Sequence, residues 1–242
     1  MAKININYSP NFGLLKRSKK NIKFIILHYT GMKKESLVIK RFCDTNSKVS
    51  SHYLIKKNGK IIRFVPDLYE AWHAGKSNWK KIQFLNKYSI GIEIQNKGHN
   101  YKYEKFSPPQ IMSIKYLLKD LIKKYNINPK NVLGHSDIAP DRKKDPGEKF
   151  PWKILAKSKL AKWHSLDEKK NLKHRLKRLD IIEEVNFLKN LYLIGYVKIK
   201  KINSNLNKKL LITAFQRRFR QGLINGKSDR ECFLISKNLL KP

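Results

Sequence analysis

The sequence predicts an α/β protein that ends in a small all-α three-helix bundle. From Ile22 to about Leu160, short apolar or alternating runs are interleaved with stretches of helical periodicity, which is typical of a sheet covered by helices. After residue 180, three amphipathic segments follow one another without a buried-strand pattern. A chain of 242 residues can hold one large unit or two unequal ones. We predict a first domain over residues 1–162, a linker over 163–179 and a helical domain over 180–242.

Five segments in the first domain have the pattern of buried or half-buried strands. They are Ile22 to His28, His52 to Lys56, Ile61 to Val65, Ser89 to Gln95 and Val132 to Gly134. The second and third are separated by Asn58-Gly59, a pair that favours a tight reversal, so we predict a β-hairpin there.

The clearest helix of this domain begins after Ser107, which can cap it, and has Pro108 in its first turn. Lys123 and Lys124 lie at its C-terminal end, where positive charge is favourable. Its apolar residues recur at helical spacing: Ile111, Ile114, Leu117, Leu118, Leu121, Ile122 and Tyr125.

Each of the three C-terminal helices is predicted from one apolar face. The first ends at Gly195, and the third begins at the capping box Ser228-Asp229-Arg230-Glu231. The polar, basic stretch 162–178 before them is expected to be a linker or a solvated helix. The three faces are Ile181, Ile182, Val185, Leu188, Leu191 and Tyr192; Leu210, Leu211, Ala214, Phe215, Phe219 and Leu223; and Ile235, Leu239 and Leu240.

The formal net charge is +36, from 54 Lys and Arg against 18 Asp and Glu, and it favours polyanionic partners. Nucleic acid, an acidic wall polymer and an anionic membrane all fit the charge alone. A compositional origin is an equal alternative, because lysine, isoleucine and asparagine are all abundant, as an AT-rich genome produces. A nucleic-acid binder should carry a recognisable motif such as a helix-turn-helix or a zinc finger, and we find none, so no specific nucleic-acid partner is expected.

The two cysteines, Cys43 and Cys232, are too few for a disulfide framework in a chain of this length. The N-terminal segment Met1 to Tyr8 lacks the apolar run of a secretion signal, and no segment has the length of a membrane span. We therefore expect a soluble protein with no transmembrane segment. A cytoplasmic location, an unconventional export route and a trimmed start all remain open.

One loop, Gly134 to Gly147, carries an imidazole, a lysine and a carboxylate in a turn-rich stretch. His28 ends a buried apolar run, so its ring can point into a cleft. Two histidines and one carboxylate are the usual protein ligands of a hydrolytic zinc, whose fourth position is left open for water. We therefore predict one Zn²⁺ bound by His28, His135 and Asp145. A structural zinc would more often have cysteine ligands.

Two further residues are candidate catalytic groups. Glu93 interrupts an apolar strand, and a buried carboxylate costs free energy unless it is paired or used, so it is the candidate proton carrier. Lys143 lies two residues before Asp145 and could stabilise an oxyanion by its fixed charge. The alternatives are an outward-facing strand residue for Glu93 and one more solvated lysine for Lys143.

Five blocks of the chain resemble the zinc-dependent N-acetylmuramoyl-L-alanine amidases, a family that includes the peptidoglycan recognition proteins. The blocks extend from about Ile22 to Trp152 and occur in the family's order. They are Leu27-His28-Tyr29-Thr30, Ser51-His52-Tyr53-Leu54-Ile55, Ala71-Trp72-His73-Ala74-Gly75, Ile90-Gly91-Ile92-Glu93 and the loop from Gly134 to Gly147.

This resemblance implies a mixed central β-sheet flanked by helices. It also implies zinc on His28, His135 and Asp145, with Glu93 and Lys143 as catalytic groups. The implied reaction is hydrolysis of the amide between the lactyl group of N-acetylmuramic acid and the L-alanine of the stem peptide, in intact wall or in anhydro-muropeptides. A non-catalytic peptidoglycan receptor on the same fold is the alternative. Candidate substrate contacts are Tyr29, Trp72, His73, Asn96 and Arg142; His52 is expected to pack or to form hydrogen bonds.

The C-terminal bundle resembles the three-helix peptidoglycan-binding module that is attached to many wall hydrolases. It departs from that module where this chain has Lys198 to Asn207 in place of an Asp-Gly-rich connection. The alternative is a bundle that only stabilises the first domain. The expected partners are peptidoglycan or muropeptides, with electrostatic contact to anionic wall or membrane polymers, and the substrate implies the cell envelope or periplasm.

Overall fold

The computed structural model describes residues 4–197 and 205–241. Most of the connection from Lys198 to Asn207, and the start of the N-terminal segment, lie outside these residues.

A mixed β-sheet forms the centre of the protein, as the resemblance implied. Within the described residues it has six strands in the order β1-β5-β4-β9-β3-β10, and every neighbouring pair is parallel except β4 and β5. Two short antiparallel pairs, β2 with β6 and β7 with β8, lie outside this sheet. The strands are β1 (Ile4–Ile6), β2 (Phe12–Gly13), β3 (Phe24–Tyr29), β4 (Tyr53–Ile55), β5 (Ile61–Arg63), β6 (Glu70–Ala71), β7 (Asn78–Trp79), β8 (Ile82–Gln83), β9 (Ser89–Ile94) and β10 (Val132–Gly134).

The antiparallel pair β4 and β5 is the predicted hairpin. The Gly59 N–H donates to the Lys56 carbonyl at 2.9 Å, and the Lys60 N–H donates to Asn58 Oδ1 at 3.1 Å. Gly59 has a φ of +83°, a left-handed conformation that glycine adopts without a steric cost. The turn residues therefore fix this reversal.

Helices cover both faces of the sheet. The capped helix is confirmed as α2, with the Gln110 N–H donating to Ser107 Oγ and the Ser107 N–H donating to the Gln110 side chain. Helix α1 was not predicted from the sequence, and its N-terminus has no side-chain cap at Lys34. The helices are α1 (Glu35–Cys43), α2 (Pro108–Tyr125), α3 (His135–Ile138), α4 (Trp152–Lys157), α5 (Glu168–Leu172), α6 (Ile181–Ile194), α7 (Asn205–Phe219) and α8 (Arg230–Leu239).

Alternate residues of β3 belong to different cores. Ile25 and Leu27 are in the cluster that includes the buried residues of α2. Phe24 and Ile26 are in a second cluster, which also contains buried residues of α6, α7 and α8. Because side chains alternate along a strand, His28 points to the same face as Phe24 and Ile26.

The C-terminal helices are thus packed against the sheet through a shared apolar core. Phe187, Leu191 and Phe215 have no solvent-exposed area and lie in one cluster with Phe24 and Leu133 of the sheet. This packing supports the stabilising alternative for the bundle. Binding of glycan by these helices remains a prediction.

Two details of the predicted bundle are wrong. Leu188 and Leu191 of the predicted face pack in the core, but Ile181, Ile182 and Val185 are 83%, 73% and 58% exposed. The unpredicted Phe187 is buried beside Leu191. The third helix, α8, is capped by Asp229, whose side chain accepts from the Cys232 N–H. The hydroxyl of Ser228 donates instead to Glu184.

The segment predicted as a linker contains the short helix α5 and is partly packed. Trp163, Leu166 and Leu179 contact the same cluster as the C-terminal helices. The domain boundaries within residues 163–179 remain a prediction. Cys43 and Cys232 form no disulfide with each other. No helix in the described part of the chain is long and apolar enough to cross a bilayer.

Two substitutions on α6 test which face of this helix is buried. Leu191→Ala removes a fully buried side chain and should lower the free energy of unfolding by about 2–5 kcal/mol. Ile182→Ala, at an exposed position of the same helix, should change it by about 0.5 kcal/mol or less. Urea denaturation followed by tryptophan fluorescence measures both. Equal effects, or separate unfolding of the C-terminal helices, would contradict the shared core.

Candidate active site

Parallel strands bring three of the predicted site residues together. The register of β3 and β9 pairs His28 with Glu93, and that of β3 and β10 pairs Leu27 with Gly134. His135 follows Gly134 directly and therefore lies next to His28. Such a position, at the carboxyl ends of adjacent parallel strands, is where ligands bind in open α/β sheets.

His135 begins α3, so the loop that was predicted to be irregular opens with a helical turn. Asp137 caps this turn, because its Oδ2 accepts from the Gly134 N–H at 2.7 Å. Its other oxygen accepts from the hydroxyl of Tyr196 at 2.8 Å. A residue that follows α6 thus supports the turn that positions His135.

His28, His135 and Asp145 converge as predicted. His28 Nδ1 lies 2.9 Å from His135 Nδ1 and 2.9 Å from Asp145 Oδ2, and His135 Nδ1 lies 3.1 Å from the same oxygen. All three residues are buried. Ligand atoms of a tetrahedral zinc lie roughly 3.3 Å apart, so this triangle is close to the size that the ion requires.

The peptide groups around Asp145 hold its carboxylate in the triangle. The Ser136 N–H donates to the Asp145 carbonyl at 2.8 Å, and the Lys143 N–H donates to the Ala139 carbonyl at 3.0 Å. Both hydrogen bonds connect the loop to the residues of α3 or to Ala139 just after it. Asp145 therefore lies beside His135, which is ten positions earlier in the chain.

The outer ring nitrogen of each histidine has a partner of its own. His135 Nε2 lies 3.1 Å from the Ala74 carbonyl, to which it can only donate, so Nδ1 keeps a free lone pair. His28 Nε2 lies 3.0 Å from Nδ1 of His73. His73 was predicted to contact substrate, yet its ring is buried behind His28.

His52, as expected, forms hydrogen bonds, accepting from the Gly91 N–H and contacting the Tyr69 carbonyl.

Burial and neighbouring charges favour the metal-binding protonation states of His28 and Asp145. Burial, with a contribution from His135, lowers the pKa of His28 to about 4. Burial alone would raise the pKa of Asp145, but His135 and His28 hold it well below its usual range. Neutral imidazoles and an ionised carboxylate are the forms that bind a divalent cation.

Glu93 lies on the same face of the sheet as His28. Its Oε2 is buried and has no hydrogen-bond partner among the residues that the structure describes. Burial, and secondarily the charge of Asp145, raises the pKa of Glu93 well above its usual value, whereas Lys143 opposes this shift. This position in the cavity lining argues against the outward-facing alternative for Glu93.

A cavity of about 590 Å³ opens in front of the cluster. Tyr29, Trp72, His73 and Arg142 line it, although the Arg142 guanidinium donates to the Ala74 and Lys76 carbonyls. Asn96 is absent from the described lining. It is buried and donates to the Glu104 carbonyl, so its amide supports the following loop.

The cavity is also lined by two basic residues, Arg41 and Lys48, that were not predicted from the sequence. Arg41 belongs to α1, the helix that had no capping signal, and its charge acts on Glu93. A hydrogen-bond network beside the cleft was not predicted either. The hydroxyl of Tyr29 lies 2.9 Å from His99 Nδ1, and Glu148 lies 3.0 Å from the other ring nitrogen of His99. These contacts join segments that are distant in sequence.

Comparison with known proteins decides the family. A family model described as N-acetylmuramoyl-L-alanine amidase matches residues 18–148. The N-acetylmuramoyl-L-alanine amidase AmiD of Escherichia coli is 36% identical over 232 residues, which cover 91% of this chain and 83% of that protein. The chain belongs to the N-acetylmuramoyl-L-alanine amidase family. The predicted family is thus confirmed, and so is the predicted class of enzyme, a hydrolase of the amide between N-acetylmuramic acid and L-alanine.

Solved structures of amidases share the whole fold. AmiD from Escherichia coli, in complex with anhydro-N-acetylmuramic acid-L-Ala-D-γ-Glu-L-Lys, has a TM-score of 0.80 at 34% identity, over 94% of this chain and 91% of that one. AmpDh3 from Pseudomonas aeruginosa, in complex with anhydromuramic pentapeptide, has a TM-score of 0.79 at 29% identity, over 95% of both chains. The 1,6-anhydro-N-acetylmuramyl-L-alanine amidase AmpD of Escherichia coli is 39% identical over 105 residues, 43% of this chain and 55% of that protein.

Acid should destabilise the metal-free amidase through its buried histidines. Burial lowers the pKa of His28 to about 4 and that of His52 to about 3, against about 6.5 for an unfolded chain. Below that value the unfolded state binds more protons, so the free energy of unfolding falls as the pH decreases. Between pH 6.5 and pH 5 each histidine contributes up to about 1.4 kcal/mol per pH unit.

Urea denaturation in chelator at pH 7, 6 and 5 measures this slope. His52→Asn removes one titrating group. The slope of the unfolding free energy against pH should therefore fall by up to about 1.4 kcal/mol per pH unit. If the parent protein were as stable at pH 5 as at pH 7, or more stable, the lowered pKa values of the buried histidines would be contradicted.

Proposed function

We propose that this amidase uses a single zinc ion bound by His28, His135 and Asp145, with Glu93 as proton carrier. The observation that carries the proposal is the triangle of two imidazole nitrogens and one carboxylate oxygen, with sides of 2.9, 2.9 and 3.1 Å. The composition of this triangle, two nitrogens and one oxygen, matches a hydrolytic zinc with an open fourth position. The bound ion would supply Lewis acidity, which lowers the pKa of a water ligand and polarises an amide carbonyl.

Glu93 transfers the proton in this mechanism. Its Oε2, which has no hydrogen-bond partner within the described residues, lies on the strand beside His28, on the face that borders the cleft. A raised pKa lets the carboxylate take a proton from the attacking water near neutral pH and then give it to the leaving amine. An ordinary, solvated glutamate would hold that proton too weakly for the second step.

Lys143 stabilises the negative charge that develops on the carbonyl oxygen. It is half-buried, lines the cavity and acts electrostatically on both Glu93 and His28, so its ammonium group faces the site. A fixed positive charge in a partly desolvated cleft stabilises an oxyanion more than a solvated lysine would. These contacts support the catalytic interpretation over that of one more surface lysine.

The substrate that we propose is a muropeptide with an N-acetylmuramic acid or anhydro-muramic acid end. Two relatives that share the whole fold were solved with anhydro-muramoyl peptides, and the cavity of about 590 Å³ has the size of a small-molecule site. Intact peptidoglycan is the second substrate form. Because both forms come from the cell wall, we place the action of the enzyme in the envelope or periplasm.

The net charge of +36 supports contact with anionic wall or membrane polymers. Screening by salt should weaken such contact. Retention on purified sacculi should therefore fall as ionic strength rises, and retention that is indifferent to salt would argue against this part of the proposal.

One assay tests the metal, the bond and the substrate together. Purified sacculi and a soluble anhydro-muropeptide are digested side by side, with and without chelator, and the products are identified by mass. We expect release of peptides that begin with L-alanine, loss of activity in chelator and recovery with one zinc per chain. Full activity of a metal-free preparation would refute the zinc proposal, and cleavage at another bond would refute the assigned chemistry.

Replacement of Glu93 separates catalysis from metal binding. Glu93→Gln keeps the size of the side chain but cannot carry the proton, so kcat should fall about 10²–10⁴-fold. Zinc stoichiometry should stay at the parent value, because Glu93 is not a ligand. Glu104→Gln is the matched control, since Glu104 pairs with Lys57 and does not line the cavity. An active Glu93→Gln enzyme would reject Glu93 as the proton carrier.

A further inference from the structure

His73 lies behind His28, on the side away from the metal triangle. Its Nδ1 is 3.0 Å from His28 Nε2, and the two rings are nearly perpendicular, at 80°. Its other nitrogen is 3.2 Å from the hydroxyl oxygen of Ser89, which in turn is 2.6 Å from the Leu85 carbonyl. Both ring nitrogens of His73 are thus engaged within the protein.

The Leu85 carbonyl fixes the direction of every hydrogen bond in this chain. A carbonyl oxygen only accepts, so the Ser89 hydroxyl donates to it and accepts from the Nε2–H of His73. Nδ1 of His73 then has a lone pair, which accepts from the Nε2–H of His28. As a result, Nδ1 of His28 carries no proton and presents its lone pair to the triangle.

The backbone of β9 is shaped to hold the His73 ring. A Cβ atom on Gly91 would overlap this ring, so no other residue fits at that position without a shift. Gly91 lies two residues before Glu93 and pairs with Ile26 of β3, and its N–H donates to His52 at 3.0 Å. The ring therefore packs against the strand that carries Glu93.

We infer that His73 is a positioning residue, which fixes the tautomer and the ring orientation of His28 for zinc through the chain His28–His73–Ser89–Leu85. This inference rests on the proposed zinc function and assigns to His73 a structural task in place of substrate contact. Outer partners of metal-bound histidines typically change metal affinity about 10–100-fold.

Zinc affinity of the full chain tests the inference through competition with a fluorescent chelator at pH 7. His73→Leu fills the space but cannot accept a hydrogen bond, so the zinc Kd should rise about 10–100-fold. His73→Asn places an amide oxygen near the position of Nδ1 and should restore the Kd to within about threefold of the parent value. His52→Asn, a buried neighbour that does not touch His28, should leave the Kd unchanged.

A second readout needs no zinc. Long-range ¹H–¹⁵N spectra of the metal-free protein should report the Nε2–H tautomer of His28 in the parent and the Asn variant, and a mixture of tautomers in His73→Leu. Should His73→Leu fail to fold, Ser89→Ala breaks the next link of the same chain and should weaken zinc binding in the same direction. A parent-like Kd and an unchanged tautomer in these variants would overturn the inference. A parent protein that binds no zinc would instead overturn the zinc proposal, while the spectra still test the role of His73.

Discussion

The parallel register of three neighbouring strands is the constraint on which the rest of the site depends. It places His28 directly beside Glu93 and brings His135 next to His28 at the carboxyl ends of β3, β9 and β10. A shift of one residue in either pairing would turn one of these side chains to the opposite face. The loops add Asp145 and Lys143 to a geometry that the sheet has already set.

Bringing these polar groups together in a buried site costs folding free energy. Buried imidazoles, an ionised carboxylate and a glutamate oxygen with no partner in the described part of the chain lie within one small region, and each costs free energy unless it is paired. The surrounding fold provides the stability that offsets this cost. The C-terminal helices bury the face of Phe24 and Ile26, and Tyr196 holds Asp137, whose side chain caps the turn at His135. In this protein the helical region is thus a support for the active site as well as a candidate binding module.

Local signals explain what could be predicted from the sequence. The turn at Asn58 and Gly59 and the cap at Ser107 act within a few residues, so the hairpin and α2 were predicted correctly. The convergence of His28, His135 and Asp145 was predicted because two histidines and one carboxylate are a typical zinc-binding set. The buried face of α6 was predicted only in part, since Ile181 and Ile182 obey helical spacing and yet are exposed, whereas tertiary packing buries Leu191, which was predicted, and Phe187, which was not. The contacts of His73 depend on a strand backbone that no local pattern reveals.

In the proposed centre, His28, His135 and Asp145 bind one ion and leave a vertex open. X-ray absorption at the zinc edge of the zinc-loaded protein reports the ligand atoms and their distances. We expect two imidazole nitrogens and oxygen ligands at about 2.0–2.1 Å, with the imidazole signal reduced in His135→Ala. A shell with sulfur at about 2.3 Å, or a shell unchanged by His135→Ala, would contradict it.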